Sequence, residues 1–107
     1  MTETSDEDRK LVTLARGAMA RAGAGHGAAV RDLDGRTYAG APVALTSLAL
    51  TGLQVAVATA LSSGAEGFEA AVLVGSADGA DAGVAALHEV SAAAPVLLFD
   101  ARGEALT

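Results

Sequence analysis

Few side chains in this sequence could carry out chemistry. The 107 residues include no cysteine and two histidines, His26 and His88. A zinc ion could use these histidines together with Asp78 and Asp81, but neither histidine has a second ligand at the spacing that is typical of zinc sites. His26 lies in a glycine-rich turn and His88 lies late in a helical segment. Surface or packing roles are therefore predicted for both, and no metal site is predicted.

The hydroxyl and carboxyl groups do not form a catalytic pattern either. Ser47, Ser62 and Ser63 have no histidine nearby in the sequence that could act as a base. Ser62 and Ser63 are typical of the last turn of a helix. Glu66 and Glu69 flank the start of a predicted strand, where a solvated rim is expected. The sequence therefore predicts neither a serine nucleophile nor a pair of catalytic carboxylates.

Two glycine-containing loops share part of the pattern of ligand-binding loops. The segment VLVGSADGADAG, residues 72–83, leads from a predicted strand into a predicted helix, as a phosphate-binding loop does. Its Gly75, Gly79 and Gly83 lack the spacing of a GxGxxG or Walker motif, and its two aspartates would repel a phosphate. The segment RDLDG, residues 31–35, lacks the later ligands of a calcium loop. A helix-capping turn and a hairpin turn are predicted instead.

The composition indicates one acidic domain with surplus apolar surface. Hydrophobic residues make up 51% of the chain and charged residues 19%, and the net charge is −6 at pH 7. A domain of this length buries only about 60–68% of the surface of its unfolded chain, so part of the apolar surface should lie at an interface. Nucleic-acid binding needs a cluster of Lys and Arg residues, and this sequence has no such cluster. A homo-oligomer with no nucleic-acid partner is expected.

No segment predicts a membrane span. The uncharged run from Ala39 to Ala65 is broken by glycines, a proline and several hydroxyl groups. The sequence MTETSDEDRK at the start is acidic and polar, unlike a signal peptide. Without cysteine there is no disulfide and no thiolate metal site. A cytoplasmic protein is expected, and the composition, rich in alanine, glycine and arginine, indicates a bacterial source with a high-GC genome.

The first part of the chain is predicted to form a helix and a β-hairpin. Residues 1–7 are expected to be an acidic flexible tail and residues 8–107 a single domain. Ser5 and the acids Asp6 to Asp8 suit the start of a helix, which the glycines of GAGHG should end. The pair Asp34–Gly35 favours a type I′ turn between antiparallel strands.

The second helix has clear start and end signals and contains no charged residue. Thr51, with Gln54 three residues later, forms a capping-box pattern, and Gly64 is typical of a helix end. Between them the apolar residues point in all directions. The pattern predicts a helix that is buried on all sides, or nearly so.

The remainder is predicted to alternate strand, helix and strand. Apolar runs at Phe68–Gly75 and Val96–Phe99 are typical of strands, and Asp81–Ala93 is predicted to be helical. This helix should direct three side chains inward: Val84, Leu87 and Val90. Parallel strands joined by a helix require a right-handed crossover. The order therefore predicts an α/β sandwich with a mixed sheet.

The order of elements and several local phrases resemble the small cytidine deaminases. The shared phrases are a G-A-A-V … D-G-R-x-Y-x-G hairpin, here Gly27 to Gly40, and a second helix that ends in A-[VI]-S-x-G, here A-L-S-S-G from Ala60 to Gly64. The resemblance extends from about Asp8 to Glu104. It implies a three-layer α/β/α sandwich. Since members of that family assemble as tetramers through their helices, it also implies a homo-oligomer, either a tetramer or a dimer.

The resemblance also shows what this sequence lacks. Active members carry Cys-Ala-Glu in the first turn of the second helix, and the counterpart here is Thr51-Gly52-Leu53. Thr51 then stands at a zinc-ligand position, and Leu53 stands at the position of the glutamate that transfers protons. Two further cysteines would have to lie between Asp81 and Ala86, where there are none. Neither a cofactor nor deaminase activity is expected.

The segment that recognises the substrate is also altered. The family's ribose-contacting Asn-x-Glu aligns approximately with Pro42-Val43-Ala44. The leading hypothesis is an inactive deaminase-like protein that serves as a homo-oligomeric binding or scaffold module. One alternative is a regulator that binds a nucleoside-like small molecule in a vestigial pocket formed by Pro42, Ala44, Thr51 and Gly52. The other alternative is a family enzyme of altered chemistry.

Overall fold

The computed structural model of the chain describes residues 4–75 and 81–106. Within these ranges the helices are α1 (Asp6–Ala22), α2 (Gly52–Ser62) and α3 (Ala82–Val90). The strands are β1 (His26–Asp32), β2 (Thr37–Gly40), β3 (Val43–Ala44), β4 (Ala49–Leu50), β5 (Phe68–Gly75) and β6 (Val96–Phe99). Asp78 and Gly79 of the predicted loop, and Met1 to Glu3 of the predicted tail, lie outside the described residues.

Four strands form one mixed sheet in the order β2-β1-β5-β6. Strand β1 is antiparallel to both β2 and β5, whereas β5 and β6 are parallel. The predicted mixed sheet is therefore confirmed, with β5 and β6 at their predicted bounds. The short hairpin of β3 and β4 was not predicted, because strands of two residues show no detectable alternation of polar and apolar side chains.

The side chains of β5 alternate between two apolar clusters. Ala71 and Leu73 belong to the cluster beneath α2 and α3, whereas Val72 and Val74 belong to the cluster beneath α1. The buried helix residues in these clusters are Leu53, Ala56, Val57, Ala60 and Leu87 of α2 and α3, and Leu11, Val12 and Ala15 of α1. Helices thus cover both faces of the sheet, which confirms the three-layer α/β/α sandwich.

Helix α1 begins where its capping residue was predicted. The Ser5 hydroxyl accepts a hydrogen bond of 3.1 Å from the Asp8 N–H, and Gly23, whose φ is +61°, caps the other end after Ala22. The first turn contains Asp6 and Glu7, so the predicted tail of residues 1–7 overlaps the helix.

The hairpin between β1 and β2 is present, but its predicted type I′ turn is wrong. Such a turn needs positive φ at both central residues. Gly35 has a φ of +83°, but no other kind of residue in the described part of the chain has a positive φ. The buried Asp32 stabilises a longer loop instead, because its Oδ1 accepts hydrogen bonds of 2.9 Å from the N–H groups of Asp34 and Arg36.

Helices α2 and α3 each depart from one expectation. In the single chain α2 is buried on one side only, and four residues on its other side are exposed: Ala58, Thr59, Leu61 and Ser62. Helix α3 ends at Val90 and not at Ala93, and Val90 is exposed, whereas Leu87 is buried as predicted. The helix ends there because the backbone of Ser91 is not helical, with φ −139° and ψ 87°, and the Ser91 hydroxyl instead accepts a hydrogen bond from the Phe68 N–H at 2.8 Å.

Candidate functional site

The predicted capping box at the start of α2 is present. The Thr51 Oγ1 accepts a hydrogen bond of 3.1 Å from the Gln54 N–H, and the Gln54 Oε1 accepts one of 2.9 Å from the Thr51 N–H. Both interactions satisfy backbone donors that a helix start leaves without partners. At this position Thr51 acts as a helix cap.

Leu53, the second residue of α2, is fully buried. The first turn of α3 lies directly against it: a Cβ added to Gly83 would lie 2.6 Å from the Leu53 Cβ and 2.7 Å from its Cγ. Only a glycine permits this approach, because any larger residue would overlap with the leucine. The position that the resemblance gives to a proton-transferring glutamate therefore belongs to the packing between α2 and α3.

Asp81 connects the starts of these two helices. Its Oδ1 accepts a hydrogen bond of 2.7 Å from the Gly83 N–H, which caps α3, and another of 2.7 Å from the Thr51 hydroxyl. The sequence makes this carboxylate one of four candidate zinc ligands. In the structure it fits the predicted helix-capping turn, and it makes a contact to Thr51 that the sequence did not predict.

His26 also contacts the start of α2, which sequence reasoning missed. Its Nε2 accepts a hydrogen bond of 3.0 Å from the Gly52 N–H. The two residues lie 26 positions apart, and only the fold brings β1 beside α2. The other histidine lies elsewhere: the His88 Nε2 is 2.8 Å from the Ala94 carbonyl oxygen, beyond the end of α3.

The residues at the start of α2 do not fit a zinc ion. Zinc needs three or four nitrogen, sulfur or oxygen ligands with free lone pairs. The His26 Nε2, the Thr51 Oγ1 and the Asp81 Oδ1 all take part in hydrogen bonds within the protein. Across residues 4–75 and 81–106, no group of three or more His, Cys, Asp or Glu side chains is placed to hold a metal.

The residues of the predicted vestigial pocket belong to two segments, one after β2 and one at the start of α2. Thr51 and Gly52 are adjacent, and the carbonyl oxygen of Gly52 would lie 2.7 Å from a Cβ on Gly40. This contact places the end of β2, two residues before Pro42, against the first turn of α2. Pro42 is half-buried, whereas Ala44 is exposed and pairs with Ala49.

The remaining polar candidates have structural contacts. The Ser63 hydroxyl donates a hydrogen bond of 2.8 Å to the Thr59 carbonyl oxygen in the last turn of α2, as predicted for that region. The Glu69 Oε1 lies 3.3 Å from Arg31, which also pairs with Asp8 at 3.2 Å. Ser47 is exposed in the turn between β3 and β4. None of these contacts brings a nucleophile and a base together.

An open groove of about 460 Å³ lies on the other face of the sheet, between α1 and the hairpin turn. Its lining residues are Glu7, Lys10, Thr13, Leu14, Gly35 and Thr37. The Lys10 ammonium pairs with the Glu7 carboxylate at 3.5 Å, so the two charges offset each other. The groove has no connection to the start of α2, which packs on the opposite face of the sheet.

Comparison with known families agrees with the fold. The family model described as cytidine deaminase-like matches residues 4–103. The chain belongs to the cytidine deaminase-like family. Among curated proteins no significant match was found. Among the helices of the described residues, none has both the length and the hydropathy that a membrane span needs.

Solved structures of two cytidine deaminases share this architecture. The cytidine deaminase from Burkholderia pseudomallei superimposes with a TM-score of 0.78 at 22% identity, covering 99% of this chain and 91% of that chain. The cytidine deaminase from Mycobacterium tuberculosis gives a TM-score of 0.71 at 24% identity, covering 89% and 85%. At these identities the likeness establishes the fold, and the function has to be argued from the residues.

Proposed function

We propose that this chain is a cytidine deaminase-like protein without deaminase activity, which serves as a homo-oligomeric binding or scaffold module. The main support is Leu53, which is fully buried and stands where the resemblance places the proton-transferring glutamate. A leucine side chain neither takes up nor releases a proton, and a buried one does not reach a substrate. Its contact with Gly83 gives this position a packing role instead.

The neighbouring polar groups support the same proposal. Activation of a water molecule by zinc requires ligands that hold the ion, and the sequence has no cysteine to provide thiolates. Thr51 and Asp81 are hydrogen-bonded to each other at 2.7 Å. A deaminase without an activated water and without a proton carrier has no route to attack cytosine. We therefore expect no cofactor.

Self-association is supported by the exposed part of the uncharged segment Ala39–Ala65. Leu45 and Leu48 at the tip of the β3–β4 hairpin are 60% and 48% exposed, and Leu61 on α2 is 42% exposed. The chain carries a net charge of −6, so two copies repel each other least where neither surface carries charge. We propose a tetramer or a dimer with α2 near the interface, in the cytoplasm and without a nucleic-acid partner.

The two alternative functions, a small-molecule regulator and an enzyme of altered chemistry, both require polar groups near Thr51 that are free to bind a ligand or substrate. A regulator that binds a nucleoside-like molecule at Pro42, Ala44, Thr51 and Gly52 would need polar groups that can face the ligand. The Gly52 N–H is bonded to His26, and the Thr51 hydroxyl is bonded to Asp81. These bonds compete with a ligand, and they would equally compete with a substrate of an altered enzyme. The contacts favour the scaffold proposal.

A deaminase assay tests the proposal directly. The purified protein is incubated with cytidine, with and without added zinc, and uridine is measured by chromatography beside an active cytidine deaminase. We expect no uridine above the background of the buffer, while the active enzyme converts its substrate. Uridine production that scales with the amount of this protein would refute the inactivity.

Light scattering and calorimetry test the other parts. Light scattering at micromolar concentration should show a tetramer or a dimer, and a monomer would refute the homo-oligomeric part. Titration with cytidine or uridine should give no saturable heat. Saturable binding without uridine formation would favour the small-molecule regulator over the scaffold module.

A further inference from the structure

The starts of α2 and α3 lie in direct contact. A Cβ on Gly83 would lie 2.7 Å from the backbone nitrogen of Gln54, in addition to its overlap with Leu53. The first turns of the two helices therefore pack directly against each other, with no side chain of Gly83 between them. Each helix start carries backbone N–H groups without partners in the helix and the positive end of a helix dipole. Two such ends placed together need acceptors, and negative charge is favourable between them.

One carboxylate oxygen serves both helices. The Asp81 Oδ1 accepts the Gly83 N–H of α3 and the Thr51 hydroxyl at the start of α2, each at 2.7 Å. The Thr51 Oγ1 in turn accepts the Gln54 N–H of α2 at 3.1 Å. The hydroxyl thus accepts from its own helix and donates to the neighbouring carboxylate. A hydrogen bond from a hydroxyl to an ionised carboxylate is short and strong.

We propose that Thr51, Asp81 and Gly83 form a helix latch, which fixes the start of α3 against the start of α2 without a metal ion. The latch consists of the hydrogen bonds from the Thr51 hydroxyl and the Gly83 N–H to the Asp81 Oδ1. It stabilises the contact between Gly83 and Leu53, where a metal ion does not fit. This inference concerns how the two helices are joined, and it stands independently of the proposed function.

A double-mutant cycle separates the latch from ordinary helix capping. Thr51→Val keeps the shape of the side chain but removes the hydroxyl. Asp81→Ser retains a good cap for α3, but its shorter side chain does not reach Thr51. Each single variant raises the unfolding equilibrium constant by some factor. If the residues act as separate caps, the factor for the double variant equals the product of the two single factors. If the latch couples them, the double variant unfolds less readily than the product of the single effects.

We expect the double variant to fall short of that product by roughly 3- to 30-fold. Chemical unfolding is followed by circular dichroism at one protomer concentration, with the oligomeric state checked for each variant. Effects that multiply to within twofold would refute the latch. If either variant does not fold, Thr51→Ala and Asp81→Gly replace them in the cycle, since these also lack the hydroxyl and the carboxylate, and Thr51→Ser is measured beside them. Thr51→Ser, which keeps the hydroxyl, should then raise the unfolding constant less than about threefold, and a larger rise would refute the latch.

Metal addition provides an independent readout. The unfolding midpoint of the wild-type protein should be the same in EDTA and in excess zinc. A midpoint that rises with zinc in the wild type but not in Thr51→Val would show that these residues hold a metal, and would refute the latch. Uridine formation in the deaminase assay would overturn the proposed function but leave the double-mutant cycle unaffected, so the two failures are distinguishable.

Discussion

The two faces of the sheet are covered by helices of different character. Helix α1 packs one face and exposes charged residues to water, among them Arg9 and Lys10. Helix α2 on the other face has no charged residue, and its outer side exposes Ala58 and Leu61. The outer side of α1 thus carries charged groups, whereas the exposed side of α2 carries none. This difference is the reason why we propose α2 as the side of the molecule that self-associates.

The largest expected effect concerns the buried start of α2. Leu53→Ala should lower the free energy of unfolding by about 2–5 kcal/mol, because it leaves a cavity beneath α3. Leu53→Glu should cost at least as much, since the carboxylate would lack a partner. The matched control is Leu14→Ala on the exposed side of α1, with an expected loss below about 1 kcal/mol. Denaturant unfolding measures all three variants.

One result would reverse the conclusion from Leu53. If Leu53→Glu is as stable as the parent protein, water reaches the position, and the site is open. The small-molecule regulator would then be favoured over the scaffold module.

The exposed side of α2 should control self-association. Leu61→Glu places a charge on the proposed interface and should weaken the oligomer by roughly 10- to 100-fold, as measured by analytical ultracentrifugation. The control is Leu14→Glu, because Leu14 is 38% exposed and Leu61 is 42% exposed. Equal weakening by both variants, or by neither, would remove the distinction between the two faces.

Removal of the caps of α1 and α2 should lower the free energy of unfolding by smaller amounts, which should differ measurably between the two helices. Ser5→Ala removes one exposed cap from α1 and should cost about 0.5 kcal/mol. Thr51→Ala should cost about 1 kcal/mol for the cap alone. The loss of the hydrogen bond to Asp81 adds to that cost, so the Thr51 variant should be the less stable of the two in thermal unfolding. The opposite order would contradict the role given to Asp81.

The smallest effect concerns the hairpin, at the edge of the sheet. Partial burial and the neighbouring Asp32 carboxylate, which accepts a hydrogen bond of 3.3 Å from the Tyr38 hydroxyl, raise the pKa of Tyr38 above its ordinary value of 10.0. The folded state therefore holds this proton more tightly than the unfolded state. The stability from this group is fully present below pH 10 and is lost as the pH rises through the folded pKa.

Tyr38 is the single tyrosine, and the chain has no tryptophan, so absorbance near 295 nm follows its ionisation alone. The midpoint should lie above 10.0, and Asp32→Asn should lower it, because the amide keeps the loop acceptor but removes the charge. A midpoint that does not change in this variant would exclude an effect of the Asp32 charge.

Local signals in the sequence were sufficient for much of the fold. The capping box of Thr51 and Gln54 lies within four residues, and the strands β5 and β6 are continuous apolar runs, so each was predictable from its own segment. The site depended on contacts between distant residues. Thr51 and Asp81 lie 30 positions apart, and His26 and Gly52 lie 26 apart. Short-range periodicity contains no information about such pairs.

The hairpin turn shows a different limit. The Asp34–Gly35 pair alone favours a two-residue turn, but the side chain of Asp32 binds two N–H groups of a longer loop. A preceding side chain thus overrode the preference of the turn residues. The hairpin was predictable, and the geometry of its turn was not.

The contact between Gly83 and Leu53 has a consequence for single substitutions in the chain. A mutation that placed glutamate at position 53 would put a carboxylate against the backbone of α3, where it should destabilise the protein. If the proposed inactivity holds, deaminase chemistry would also require α3 to move away and zinc ligands to appear on it. Under that proposal, the close packing of the two helix starts means that no single substitution could provide this chemistry.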